Sequence, residues 1–100
     1  MSEKIIVTVD ADLEDLIPGF MDNRRKDVDK LREMIATSAF EELKLLGHSI
    51  KGVGGGYGFD AITDMGAAIE VAAESQDIEQ LKQCAIEYEE YMQRVEVVFE

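Results

Sequence analysis

His48 is the only histidine in the 100-residue chain, and it opens the segment His48-Ser49-Ile50-Lys51-Gly52-Val53-Gly54-Gly55-Gly56-Tyr57-Gly58. With no carboxylate at i±3 or i±4, a single imidazole makes a poor metal site. No triad is built around it either. An imidazole is nonetheless a good nucleophile near neutral pH, and a lysine three residues on supplies a charge for phosphoryl oxygens. Phosphoryl transfer depends chiefly on positioning and charge stabilisation, so the segment suits the holding of one phosphoryl group. The chain has a formal net charge of -12, yet from Leu43 to Phe59 it has no acidic residue, and its only charges there are Lys44 and Lys51. Both lysines are expected to lack acidic partners.

The elements that must position these groups are helices. Ala39, Leu43, Leu46, Ile50, Val53 and Tyr57 recur in alternating steps of four and three, which is a helical stripe. At about 100° per residue, His48 lies two positions from both Leu46 and Ile50 and so faces away from the stripe, towards solvent. On its own face stand Lys44 at i−4, Lys51 at i+3, Gly52 at i+4 and Gly55 at i+7. The two small residues leave room for another protein to approach the ring. Ser38 and Glu41 have the spacing of a capping box at the start of this helix, and Gly54-Gly55-Gly56 is either a loop or a helix end.

Three further helices follow from the same reading. Phe20, Met21, Arg24, Val28, Leu31 and Ile35 are helically spaced after Pro18, which suits a first helical turn. Asp60 is a candidate cap for a helix holding Ile62, Met65 and Ile69. Asp77 starts the last one, with Ile78, Leu81, Ala85, Tyr88, Met92, Val95 and Phe99 as its stripe. A short helix through Leu13, Leu16 and Ile17, capped by Asp10 or Asp12, precedes them. Lys4 to Val9 is rich in β-branched residues but has no evident second strand to pair with, so an extended arm is expected. The fold class is all-α: one domain spanning 1–100, an antiparallel up-down-up-down four-helix bundle with a short N-terminal helix and an extended N-terminal arm. With one apolar stripe per helix, a monomer is expected.

Composition narrows the partners. Against 22 acidic residues stand 10 basic ones, a balance that disfavours binding to nucleic acid or to an anionic membrane surface. Cys84 is the single cysteine, expected as a small buried hydrophobe. No signal peptide or spanning segment is evident, and a stand-alone cytoplasmic protein is expected. The glycine run does not fit a dinucleotide or Walker fingerprint, because Tyr57 stands where either would need glycine. Arg24-Arg25-Lys26 reads as a charged group on a helix surface, Tyr57 and Phe59 as core or a helix-junction plug.

The set His48-x-x-Lys51-Gly52, followed after five residues by Gly58, resembles the signature of histidine-containing phosphotransfer (HPt) domains of bacterial two-component phosphorelays. The likeness extends to Pro18-Gly19-Phe20, to the Leu-Gly lead-in before His48, to Ala68–Glu70 and to the closing helix. Ile50 and Val53-Gly54 depart from the family pattern. The resemblance implies that His48 accepts a phosphoryl group on a ring nitrogen from the aspartate of a receiver domain and passes it to another. It implies that Lys51 stabilises that group and that Gly52 permits docking, while Lys44 and Gly55 belong to the phosphate surroundings by their place on the same helix face. The partners would be receiver domains of response regulators or hybrid histidine kinases. No cofactor or metal would be held by the chain itself, and Mg²⁺ would reside in the partner receiver. Such a protein is a carrier rather than an enzyme. The alternative is an acidic helical adaptor that docks on a kinase or receiver without carrying phosphate.

Overall fold

The computed structural model describes residues 3–100. In chain order it holds strand β1 (Ile5–Val9), a 3₁₀ helix (Ala11–Leu16), α1 (Ile17–Ala36), α2 (Phe40–Gly56), α3 (Asp60–Glu74), α4 (Ile78–Arg94) and strand β2 (Val95–Phe99). The four helices carry most of the chain. Their inward stripes meet in one core whose most enclosed members are Leu31, Leu43, Ile50, Phe59, Ile62, Ile69, Leu81 and Tyr88. Cys84 is buried among them, and burial pushes its thiol up. None of the described helices is long and apolar enough to cross a membrane.

Short local rules explain where the helices begin and end. The Asp10 carboxylate accepts from the Asp12 N–H and starts the 3₁₀ helix, Pro18 falls in the first turn of α1, and Asp77 accepts from the Gln80 N–H to start α4. Three helices then stop in the same way. After α1, α2 and α3 comes a residue with positive φ: Ser38 at 54°, Gly58 at 85° and Gln76 at 54°. The next residue's N–H reaches back five positions, from Ala39 to Met34, Phe59 to Gly54 and Asp77 to Ala72, at 2.9 Å each. This is the Schellman closure. It corrects the expected Ser38 capping box: Ser38 is used up in ending α1, and α2 starts from Ala39 with no side-chain cap. Likewise Asp60 is the first residue of α3, and Phe59 takes the cap position. Gly54-Gly55-Gly56 is helical, the last turn of α2.

The two ends of the chain hold the largest departure. The expected arm is a strand with a partner, since β1 pairs in parallel with β2 in the register Ile5↔Val95 through Val9↔Phe99. Correspondingly α4 stops at Arg94, and Val95 has extended backbone angles, φ -70 and ψ 134. Val95, Val97 and Val98 are β-branched and favour a pleated, half-buried ribbon over another helical turn. Ile5, Val7, Val95, Val97 and Phe99 turn inward and pack against the core, with Val9 fully buried.

The α2–α3 seam positions the candidate site. A Cβ added at Gly47 would lie 2.6 Å from the Glu70 nitrogen, and one at Gly66 would lie 2.3 Å from the Lys51 nitrogen. At Gly54 it would lie 2.7 Å from the Thr63 nitrogen. Glycine at these three places lets the two backbones touch. As α2 advances through 47, 51 and 54, its neighbours on α3 retreat through 70, 66 and 63. Thr63 adds a bond across the seam, its hydroxyl donating to the Lys51 carbonyl at 3.2 Å.

Candidate functional site at His48

His48 lies in the middle of α2, on the face opposite Ile50, and its side chain is 69% exposed. Periodicity placed it correctly, because the direction of a helical side chain follows from the stripe it avoids. Gly52 and Gly55 are exposed on the same helix. A side chain at Gly52 would meet nothing within 4 Å, and one at Gly55 only the Thr63 hydroxyl at 3.5 Å. The ground beside the imidazole is therefore open.

Sequence reasoning missed the residue that organises the site. Glu70 of α3 lies against both candidate side chains of α2. Its Oε2 is 3.1 Å from His48 Nδ1, and its Oε1 accepts from Lys51 Nζ, also at 3.1 Å. The expectation that Lys51 has no acidic partner is thus corrected. The stretch from Leu43 to Phe59 is free of acids only along the chain, and the Gly47–Gly66 contact brings one in from the next helix. Lys44, half-buried four residues before His48, forms no ion pair among the described residues. The structure brings His48, Lys51 and Glu70 together and leaves Lys44 on the flank. The sequence touched Glu70 only as the end of the Ala68–Glu70 segment of the family resemblance, with no role attached to it.

The electrostatics of this trio set its chemistry. The hydrogen bond from Lys51 holds the Glu70 carboxyl below the usual carboxylate range, against the desolvation that opposes it, and His48 adds to the lowering. An ionised carboxylate can only accept hydrogen bonds. A neutral His48 ring must therefore present its proton on Nδ1 to Glu70, and the lone pair falls to Nε2. The arrangement leaves the Nε2 lone pair free, orients the ring, and keeps an ammonium group beside it. At 69% exposure the ring stands on an open surface rather than in a cleft. Among the described residues, no three His, Cys, Asp or Glu side chains gather to hold a metal ion.

The remaining residues singled out in the sequence have structural places. Phe59 is buried, and Phe20 stacks between it and Tyr57 with ring centroids 5.0 and 4.4 Å away. That plug closes the junction of α1 with the end of α2. Arg24 is not part of a free basic patch: its guanidinium lies over Phe20 and donates to the buried Asp27 at 2.7 Å. Arg25 pairs with Asp22 on the surface. No protein-family model, curated protein or solved structure matches the chain.

Proposed function

We propose that this protein is a phosphoryl carrier of the histidine phosphotransfer kind, working in the cytoplasm between receiver domains. The observation that carries the reading is the bidentate hold of Glu70 on His48 Nδ1 and Lys51 Nζ. In the proposed step, His48 Nε2 attacks the phosphorus of a receiver's aspartyl phosphate. The N–P bond forms as the bond from phosphorus to the aspartate oxygen breaks, and the electron pair leaves with that carboxylate. The ring, still protonated on Nδ1, becomes positively charged, and the Glu70 carboxylate offsets that charge. Lys51 is within reach to turn from Glu70 to the phosphoryl oxygens, while Mg²⁺ belongs to the receiver. The reverse step passes the group to a second receiver.

Docking has support in the surface around the ring. Gly52 and Gly55 leave it uncovered, and Leu45 and Val71, next to the site in sequence, are 68% and 63% exposed. A receiver helix packing there would cover apolar surface that a solitary protein leaves in water. The up-down-up-down bundle belongs to the same reading and rests on the opposed order of contacts between α2 and α3. The strongly acidic chain argues for a protein partner rather than nucleic acid.

The test is incubation with a phosphorylated receiver domain and Mg²⁺, with His48→Gln alongside. The expected outcome is an acid-labile, base-stable phosphate on the wild type alone. Binding without any label would instead favour the adaptor, in which the same face docks on a kinase or receiver and no phosphate moves.

A further inference from the structure

Among the described residues the sheet has two strands, β1 and β2, and each keeps one free edge. The Glu100 N–H donates to the Val9 carbonyl at 3.2 Å and the Ala11 N–H to the Glu100 carbonyl at 3.0 Å. In this parallel ladder the odd-numbered residues of β1 therefore turn their peptide groups towards β2. Those of Ile6 and Thr8 point to the free edge, where no backbone group of the described residues meets them. Natural edge strands are usually guarded by a charge, a proline or a bulge within the strand. β1 has none of these: Ile5-Ile6-Val7-Thr8-Val9 is β-branched throughout and uncharged, and Ile6 is 55% exposed.

The charges stand just outside the strand, Lys4 at one end and Asp10 at the other, and this placement is self-complementary. Laid antiparallel on a second copy about a two-fold axis at Val7, Ile6 faces the second copy's Thr8 and Ile5 its Val9. Lys4 faces its Asp10. Residues whose peptide groups point outward meet one another, as an antiparallel ladder requires, and both end pairs have opposite charge. Lys4 has only a loose 3.7 Å contact to Glu96, with both side chains largely exposed. Asp10 uses Oδ1 for its cap. On β2, Val95, Val97 and Phe99 line a groove shared with Ile17, Pro18 and Met21 of α1. We propose that β1 pairs antiparallel with β1 of a second copy, joining the two ribbons into one four-stranded sheet in a symmetric dimer. A two-stranded sheet is marginal and gains from further strands. The expectation of a monomer considered only the helical stripes, not this edge.

Sedimentation equilibrium at about 0.15 M salt, where a Debye length of about 8 Å screens the repulsion between two acidic chains, should give a concentration-dependent dimer. Thr8→Pro removes an outward N–H without touching the β1–β2 ladder, and should leave a folded monomer. Lys4→Glu should weaken the dimer about tenfold, and Lys4→Glu with Asp10→Lys should recover most of that loss. Within one copy these two residues lie six positions apart on an extended strand, about 20 Å, so only a second copy can couple them. A wild type that stays monomeric to about 1 mM, a concentration at which even a 1 mM Kd would show, would overturn the proposal. So would a dimer indifferent to Thr8→Pro, or charge changes whose effects merely add. Should Thr8→Pro fail to fold, the charge pair decides alone. None of these outcomes depends on whether His48 carries phosphate.

Discussion

Glu70 accepts from Lys51 through one oxygen and faces the imidazole through the other, so changing its charge and changing its partner test different things. Glu70→Gln keeps the shape but lets Nδ1 or Nε2 carry the ring proton. Phosphoryl transfer should fall roughly ten- to a hundredfold, the range that orienting partners contribute at metal-binding histidines, and the ¹⁵N shifts of His48 should move towards a mixture of tautomers. Unchanged rate and shifts would mean that Glu70 serves only Lys51. Lys51→Ala removes the largest cause of the lowered Glu70 value. The carboxyl midpoint, followed by ¹³C NMR, should then rise. The sign for stability follows: with a folded-state value below the unfolded one, the Glu70 interaction is fully present above the ordinary carboxylate range. It is lost as pH falls through the lowered value, and Lys51→Ala, which removes the largest cause of the lowering, should flatten that part of the stability profile.

At the scale of the element, the α2–α3 seam holds the site together, because Gly47 and Gly66 let the helices approach until Glu70 reaches across. Alanine is the better helix former by about 1 kcal/mol, and by propensity alone Gly66→Ala should stabilise α3. The contact decides otherwise. A methyl group 2.3 Å from the Lys51 nitrogen and 2.8 Å from the Gly47 carbonyl forces the helices apart, and overpacking of this kind costs typically 1–3 kcal/mol. Urea denaturation should show that loss, and the Lys51–Glu70 contact should weaken with it. A gain in stability would show that the seam is looser than the geometry indicates.

Across the whole molecule, the first and last helices are tied by a polar link set in the core. Asp27 of α1 accepts from Tyr88 of α4 at 3.1 Å and from Arg24 at 2.7 Å. On the surface Arg32 donates to Glu89 between the same two helices. Burial, and then the Asp27 charge, push the Tyr88 phenol well above its ordinary value, so it stays a donor. Three residues on, the buried Tyr91 hydroxyl has no partner among the described residues. The two tyrosines should therefore answer oppositely to the same substitution. Tyr88→Phe leaves a buried charge short of a donor and should cost about 1.5–3 kcal/mol, whereas Tyr91→Phe removes an unpaired hydroxyl and should be neutral or stabilising by about 1 kcal/mol. Thermal melts of the two variants test the pair.

The sequence by itself determined what local periodicity and chemistry can carry: four helices, most of their core stripes, the Asp77 cap and the outward direction of His48. Each depends on residues within a few positions of one another. Only the tertiary structure decided the rest. Glu70 reaches Lys51 and His48 from 19 and 22 positions away, by way of a glycine contact that no spacing along one helix reveals. The ribbon is a sharper case. Val95 and Phe99 are four apart, a separation that suits both a helical stripe and one face of a strand, so periodicity alone cannot choose. The choice falls to the strand because Ile5–Val9, at the other end of the chain, supplies the hydrogen-bonding edge that a helix there would leave unpaired.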